Sequence, residues 1–60
     1  MNAVALINVL KAIEKLYPKM ETDVAAEVRK LVEPIADEFD IISIRMRAKE
    51  TLRVIDESKK

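Results

Sequence analysis

The side chains able to do chemistry in this chain form two clusters, one acidic and one basic, and the chain contains no histidine and no cysteine. Glu33, Asp37, Glu38 and Asp40 make up the acidic cluster. On a helix Glu33, Asp37 and Asp40 share a face, and several carboxylate oxygens converging on one point is what a divalent cation requires. Acids that follow Pro34 also complement the positive end of a helix beginning there. That simpler role is the expected one, with no metal and no cofactor. The basic cluster is Arg45, Arg47, Lys49 and Arg53. On a helix Arg45, Lys49 and Arg53 recur every four residues, and on a strand Arg45, Arg47 and Lys49 project from one side. Either arrangement offers several cations to a phosphate backbone. The cluster is short, Glu50 interrupts it, and no aromatic ring lies within it to stack on a base. Catalysis has little to draw on. The commonest general base and the thiol nucleophile are both missing, Ser43 and Ser58 have no activating neighbour, and a chain without glycine has no Gly-rich phosphate loop. The expectation is a protein that is not an enzyme.

The elements that position these groups are legible in the apolar spacing. Leu6, Leu10, Ile13 and Tyr17 form one helical stripe, with Val9 and Leu16 beside it. Lys11, Glu14 and Lys15 lie off that stripe, as a half-solvated helix requires. Asn2 is a candidate N-cap, and Pro18 forces the preceding residue out of the α region, which ends the helix. A second helix starts near Thr22 or Asp23, either of which can cap it. Its stripe is Val24, Val28, Leu31 and Ile35, flanked by Ala25 and Val32. Glu27 with Lys30, and Arg29 with Glu33, are opposite charges at helical spacing. Pro34 either kinks this helix or begins another, and helical character continues to Phe39.

The stretch from Asp40 to Glu57 reads in two ways. As a helix it continues one stripe through Phe39, Ile42 and Met46, while Ile41, Ile44, Ala48, Leu52 and Ile55 form a second stripe on nearly the opposite side. Such a helix needs two packing partners. As a strand, Ile42, Ile44, Met46 and Ala48 alternate with Ser43, Arg45, Arg47 and Lys49, and Thr51 to Ile55 return as the second arm of a hairpin. A short hairpin loop favours glycine or asparagine at positive φ, and Ala48, Lys49 and Glu50 supply neither. The good helix formers of Met46–Glu50 favour the helix. The expected fold is therefore all-α, a short helical hairpin or three-helix chain. The alternative is α+β, with a strand or β-hairpin at 41–56. Residues 1–60 make a single small domain, with 58–60 frayed.

Size and charge then bear on function. A 60-residue domain is short of interior, and with no cysteine or histidine it has neither a disulfide nor the usual zinc ligands to make up the shortfall. Half of its residues are hydrophobic, so part of that surface is expected to lie against another copy of the chain. The proposed contact is a two-fold dimer or higher oligomer through Ile41, Ile44, Ala48, Leu52 and Ile55. In it Asp37 faces Lys49, and Glu33 faces Arg53, of the mate. Acidic and basic residues number 11 each, which disfavours a nucleic-acid partner bound by net charge. The expected function is a small non-catalytic protein that binds itself and then another protein, as a regulator or inhibitor. A dimeric nucleic-acid binder using Arg45, Arg47, Lys49 and Arg53 is the alternative. The apolar run Ala3–Ile7 is too short to span a bilayer and lacks the flanks of a signal peptide, so a cytoplasmic location is expected.

Overall fold

Asn2 opens the first helix as its side chain suggests. In the computed structural model, which describes residues 2–57, its backbone is extended, and its Oδ1 accepts the Ala5 N–H at 2.8 Å. That bond satisfies one of the amide donors left free at a helix start. Helix α1 runs over Ala3–Leu16. Pro18 does not push Tyr17 out of the α region, contrary to expectation, and Tyr17 keeps φ −54° and ψ −44°. Tyr17–Lys19 tighten into a single 3₁₀ turn around the proline, and the chain becomes extended only at Met20. The Met20 N–H closes that turn by donating to the Tyr17 carbonyl at 3.1 Å.

Helix α2 spans Thr22–Glu38. Thr22 and Asp23 do not cap it, contrary to expectation. Glu21 holds the cap position without a side-chain bond, and both expected residues lie inside the first turn. There the Asp23 Oδ1 accepts the Val24 N–H at 2.9 Å, and its charge sits at the positive end of the helix. Pro34 neither ends α2 nor starts a new helix. It lies within α2 and cannot donate to the Lys30 carbonyl. Pro34 and Lys30 are both exposed, where water can serve the freed oxygen.

Helix α3 covers Ile42–Glu57, which overturns the strand or hairpin alternative at 41–56. A hairpin turn needs a residue at positive φ, and among the described residues none adopts one. Residues 39–41 link α2 to α3, Phe39 extended and Asp40 and Ile41 bent, and the Arg45 Nη1 donates across the link to the Phe39 carbonyl at 3.1 Å. The described residues are thus all helical apart from these short connections. No helix among them is long and apolar enough to cross a membrane.

Helix α3 lies against both of the others, whereas α1 and α2 barely meet. The core joins Leu10 of α1, Val32 and Ala36 of α2, and Ile44 and Ala48 of α3. Ile55, Tyr17 and Thr51 are buried beside it. Ile44, Ala48, Thr51 and Ile55 recur at four, three and four residues, one continuous helical seam. Full burial of a Leu, Val or Ile side chain contributes about 1.5–3 kcal/mol, and Leu10, Val32, Ile44 and Ile55 are all essentially inaccessible. The two stripes of α3 therefore exchange the roles expected of them. Ile44, Ala48 and Ile55 are covered by α1 and α2 of the same chain, so they need no second copy. Ile42 and Met46, expected to continue the core stripe of α2, are 65% and 60% exposed.

Candidate interaction surface

The charged groups hold the helices in a fixed relation, and this determines which faces remain open. Glu14 of α1 reaches α3, where its Oε2 accepts from Arg47 Nη2 at 2.6 Å and from the Thr51 hydroxyl at 2.7 Å. Arg29 of α2 reaches the other flank of α3, donating to both carboxylate oxygens of Asp56 at 3.0 and 2.9 Å. Glu14 and Arg29 thus mark the α3-facing sides of their helices. At about 100° per residue, Val9 and Leu16 lie ~140–160° around α1 from Glu14, and Val24 and Leu31 lie ~140–160° around α2 from Arg29. All four are exposed, Leu31 the most at 69%. On each helix they lie along one flank, ~80–120° from the buried Leu10 of α1 and Val32 of α2 that face α3, and half-buried Leu6, Ile13, Val28 and Ile35 lie between that flank and the core. Leu16 and Val24 flank the connecting turn. Val9 and Leu31 each lie seven residues, about two helical turns, further from it.

The residues expected to form an interface are placed differently. Ile44, Ala48 and Ile55 are buried within the chain, Leu52 is half-buried, and Ile41 is exposed beside the α2–α3 link. Glu33 pairs with Arg29 on its own helix. Arg53 pairs with Glu50, and with Glu57 at 2.7 Å, so the expected pairing of Glu33 with Arg53 of a mate finds both ends already engaged. Asp37 and Lys49 remain exposed. Of the helical pairs expected from spacing, Lys30 Nζ lies 3.7 Å from Glu27 and Arg29 contacts Glu33.

The basic cluster is largely committed to the chain itself. Arg45 serves the Phe39 carbonyl, Arg47 serves Glu14, and Arg53 serves Glu50 and Glu57. Those bonds raise the Arg53 pKa further above its ordinary value, and Arg53 in turn holds the Glu50 carboxyl below the ordinary glutamate value. The Asp56 hydrogen bonds raise the Arg29 pKa likewise. Of the four basic residues only Lys49 has no ion-pair or hydrogen-bond partner among the described residues. Glu38 and Asp40 of the acidic cluster line a shallow cleft together with Pro34, Ile35 and Phe39. Among the described residues no three acidic side chains converge in a way that could hold a metal ion.

Sequence reasoning identified Val9, Leu16, Val24 and Leu31 as apolar helical positions but assigned the open surface to α3. A signal for the open face was available. Val9, Ile13 and Leu16 repeat the four-three spacing of Val24, Val28 and Leu31, so the two helices carry the same stripe on their matching sides. Compared with family models, with curated proteins and with solved structures, the chain matches none of them, and any reading of its function rests on this surface.

Proposed function

We propose that this chain is a small non-catalytic binding protein that associates first with another copy of itself and acts as a regulator of a larger protein. The observation that carries the reading is the α1–α2 face, with Val9, Leu16, Val24 and Leu31 exposed on the corresponding flanks of two helices that barely touch each other. Single exposed hydrophobic residues are ordinary, but a contiguous apolar face marks an interaction site. Helix α1 adds to this, because only Lys11, Glu14 and Lys15 among its 14 residues are charged, and Glu14 is turned to α3. The larger partner has two other surfaces available, the cleft beside Phe39 and the exposed Ile42 and Met46 on the outer side of α3. A cytoplasmic setting belongs to the same proposal, supported by the absence of cysteine.

The nucleic-acid alternative is not favoured by the geometry, since three of its four basic side chains are engaged within the chain. Light scattering over a dilution series tests the main reading. The wild-type chain should show mass above that of the 6.9 kDa monomer at high concentration, and Leu31→Asp should remain monomeric while keeping its helical circular dichroism. A wild-type chain that stays monomeric up to millimolar concentration would remove self-association from the reading.

A further inference from the structure

We propose that the second copy seats on the α1–α2 face with its α1 lying over α2 of the first, about a two-fold axis running along the helices. The inference rests on the reading that this face binds another copy of the chain, and it adds which of two arrangements forms. A two-fold dimer through one face uses the same patch on both subunits. With the axis along the helices, α1 of each copy covers α2 of the other, and both connecting turns lie at the same end. With the axis across the helices, α1 covers α1, α2 covers α2, and the turns lie at opposite ends.

Charge distinguishes the two. The exposed charges of α1 are Lys11 and Lys15, both positive, because Glu14 is spent on Arg47 and Thr51. On α2 the charges bordering the same face are negative. Glu27 and Glu38 lie within ~40° of Leu31 on the helical wheel, and Asp23 lies about 100° from Val24. Lys30, already near Glu27, sits farther round the helix than Glu27 does, and that pair is over 70% exposed at both ends. Glu27 therefore stands between the apolar face and Lys30, open to a second cation. Laying α1 over α2 brings the Lys15 edge of each copy against the Glu27 edge of the other, and the symmetry makes that contact twice. Laying α1 over α1 sets the basic edges together and the acidic edges together. Complementary edges fix orientation and suppress the wrong pairing, while the four apolar side chains supply the attraction common to both.

Reversal of the charges tests the arrangement. Lys15→Glu and Glu27→Lys should each weaken the dimer by about three- to ten-fold, the scale of exposed ion pairs made twice, and the double variant should return to within ~2-fold of wild type. Additive weakening in the double variant overturns the arrangement, even where Leu31→Asp still abolishes the dimer and the face itself stands. A wild-type monomer overturns both. Because the chain has no cysteine, a second measurement is available. A mixture of Lys15→Cys and Glu27→Cys proteins should oxidise mainly to the mixed disulfide, and a mixed product no more abundant than random pairing gives would overturn the arrangement.

Discussion

Replacing Glu14 with alanine should cost the fold about 2 kcal/mol, and the size of that loss follows from the three groups around it. Glu14 is the polar contact that ties α1 to α3. Its Oε2 accepts from Arg47 at 2.6 Å and from Thr51 at 2.7 Å, and hydrogen bonds to a charged group contribute about 1.5–3 kcal/mol each. Two features reduce the sum. The Arg47 side chain is 29% exposed, so water can solvate part of the guanidinium once the carboxylate is gone. The Thr51 hydroxyl also lies 3.0 Å from the Arg47 carbonyl and can turn to it. Breaking a fully buried ion pair costs about 3–5 kcal/mol, and this half-open pair should fall below that range. A domain of this length has roughly 3–9 kcal/mol of stability in all, so the loss is a large share of it. Urea unfolding followed at 222 nm, at a fixed low protein concentration, measures it directly, and the melting midpoint should drop by ~8–16 °C. A loss under about 0.5 kcal/mol, or an Arg47→Ala and Glu14→Ala cycle with no coupling, would refute the reasoning.

Three further outcomes follow from other residues. The Tyr17 hydroxyl is buried without a hydrogen-bond partner among the described residues, so Tyr17→Phe should leave stability unchanged or raise it by up to about 1 kcal/mol, and a clear drop in the melting midpoint would mean that the hydroxyl is satisfied in solution. The Arg53 hydrogen bond holds the Glu50 carboxyl below its ordinary value. A lowered folded-state pKa gives stability that is present above the unfolded value of about 4.3 and is lost as pH falls through the folded one. An NMR titration should therefore find Glu50 below the usual glutamate range and find it restored in Arg53→Gln; an ordinary value in wild type contradicts the geometry. Asn2→Ala removes the only side-chain cap of α1 and should cost about 1 kcal/mol, read as faster amide exchange over the first turn; unchanged exchange there would show that the cap contributes nothing.

Much of the helical layout was written in the apolar spacing. The stripe through Leu6, Leu10, Ile13 and Tyr17 and the Asn2 cap follow from local rules and appear as expected, and α1 does give way near Pro18, although Tyr17 stays in the α region and the chain first becomes extended at Met20. What the sequence left open was which face each stripe would meet. Ile42 and Met46 continue the register of Phe39, but the three-residue link turns α3 back on α2 and carries those two side chains to the outside. Local periodicity cannot register a change of direction between elements, so the inner and outer stripes of α3 were exchanged. The open surface was missed for the same reason. The repeated spacing of Val9, Ile13, Leu16 and of Val24, Val28, Leu31 marks a shared stripe, but that this stripe stays open depends on where α3 packs, a tertiary fact. Arg45 and Arg47 were equally ambiguous, because their bonds to Phe39 and Glu14 join residues whose proximity emerges only with the fold, whereas the pairs of Arg53 with Glu50 and Glu57 lie at helical spacing and were open to local reading.

The unequal contacts of α1 and α2 also set an order of assembly. Helices α2 and α3 are sequence neighbours joined by three residues and share the larger interface, so they can close as a hairpin at small entropic cost. Helix α1 must wait for that platform, because α3 presents the groove into which Leu10 and Ile13 settle. The same sequence runs backward on opening. Amides in α1 should exchange with solvent faster than those between Val28 and Ala36, and uniform exchange across all three helices would contradict this order. Each such opening frees a largely uncharged helix beside an empty groove of its own shape. A neighbouring chain in the same state can offer its α1 to that groove, so two molecules could trade first helices while keeping every core contact intact.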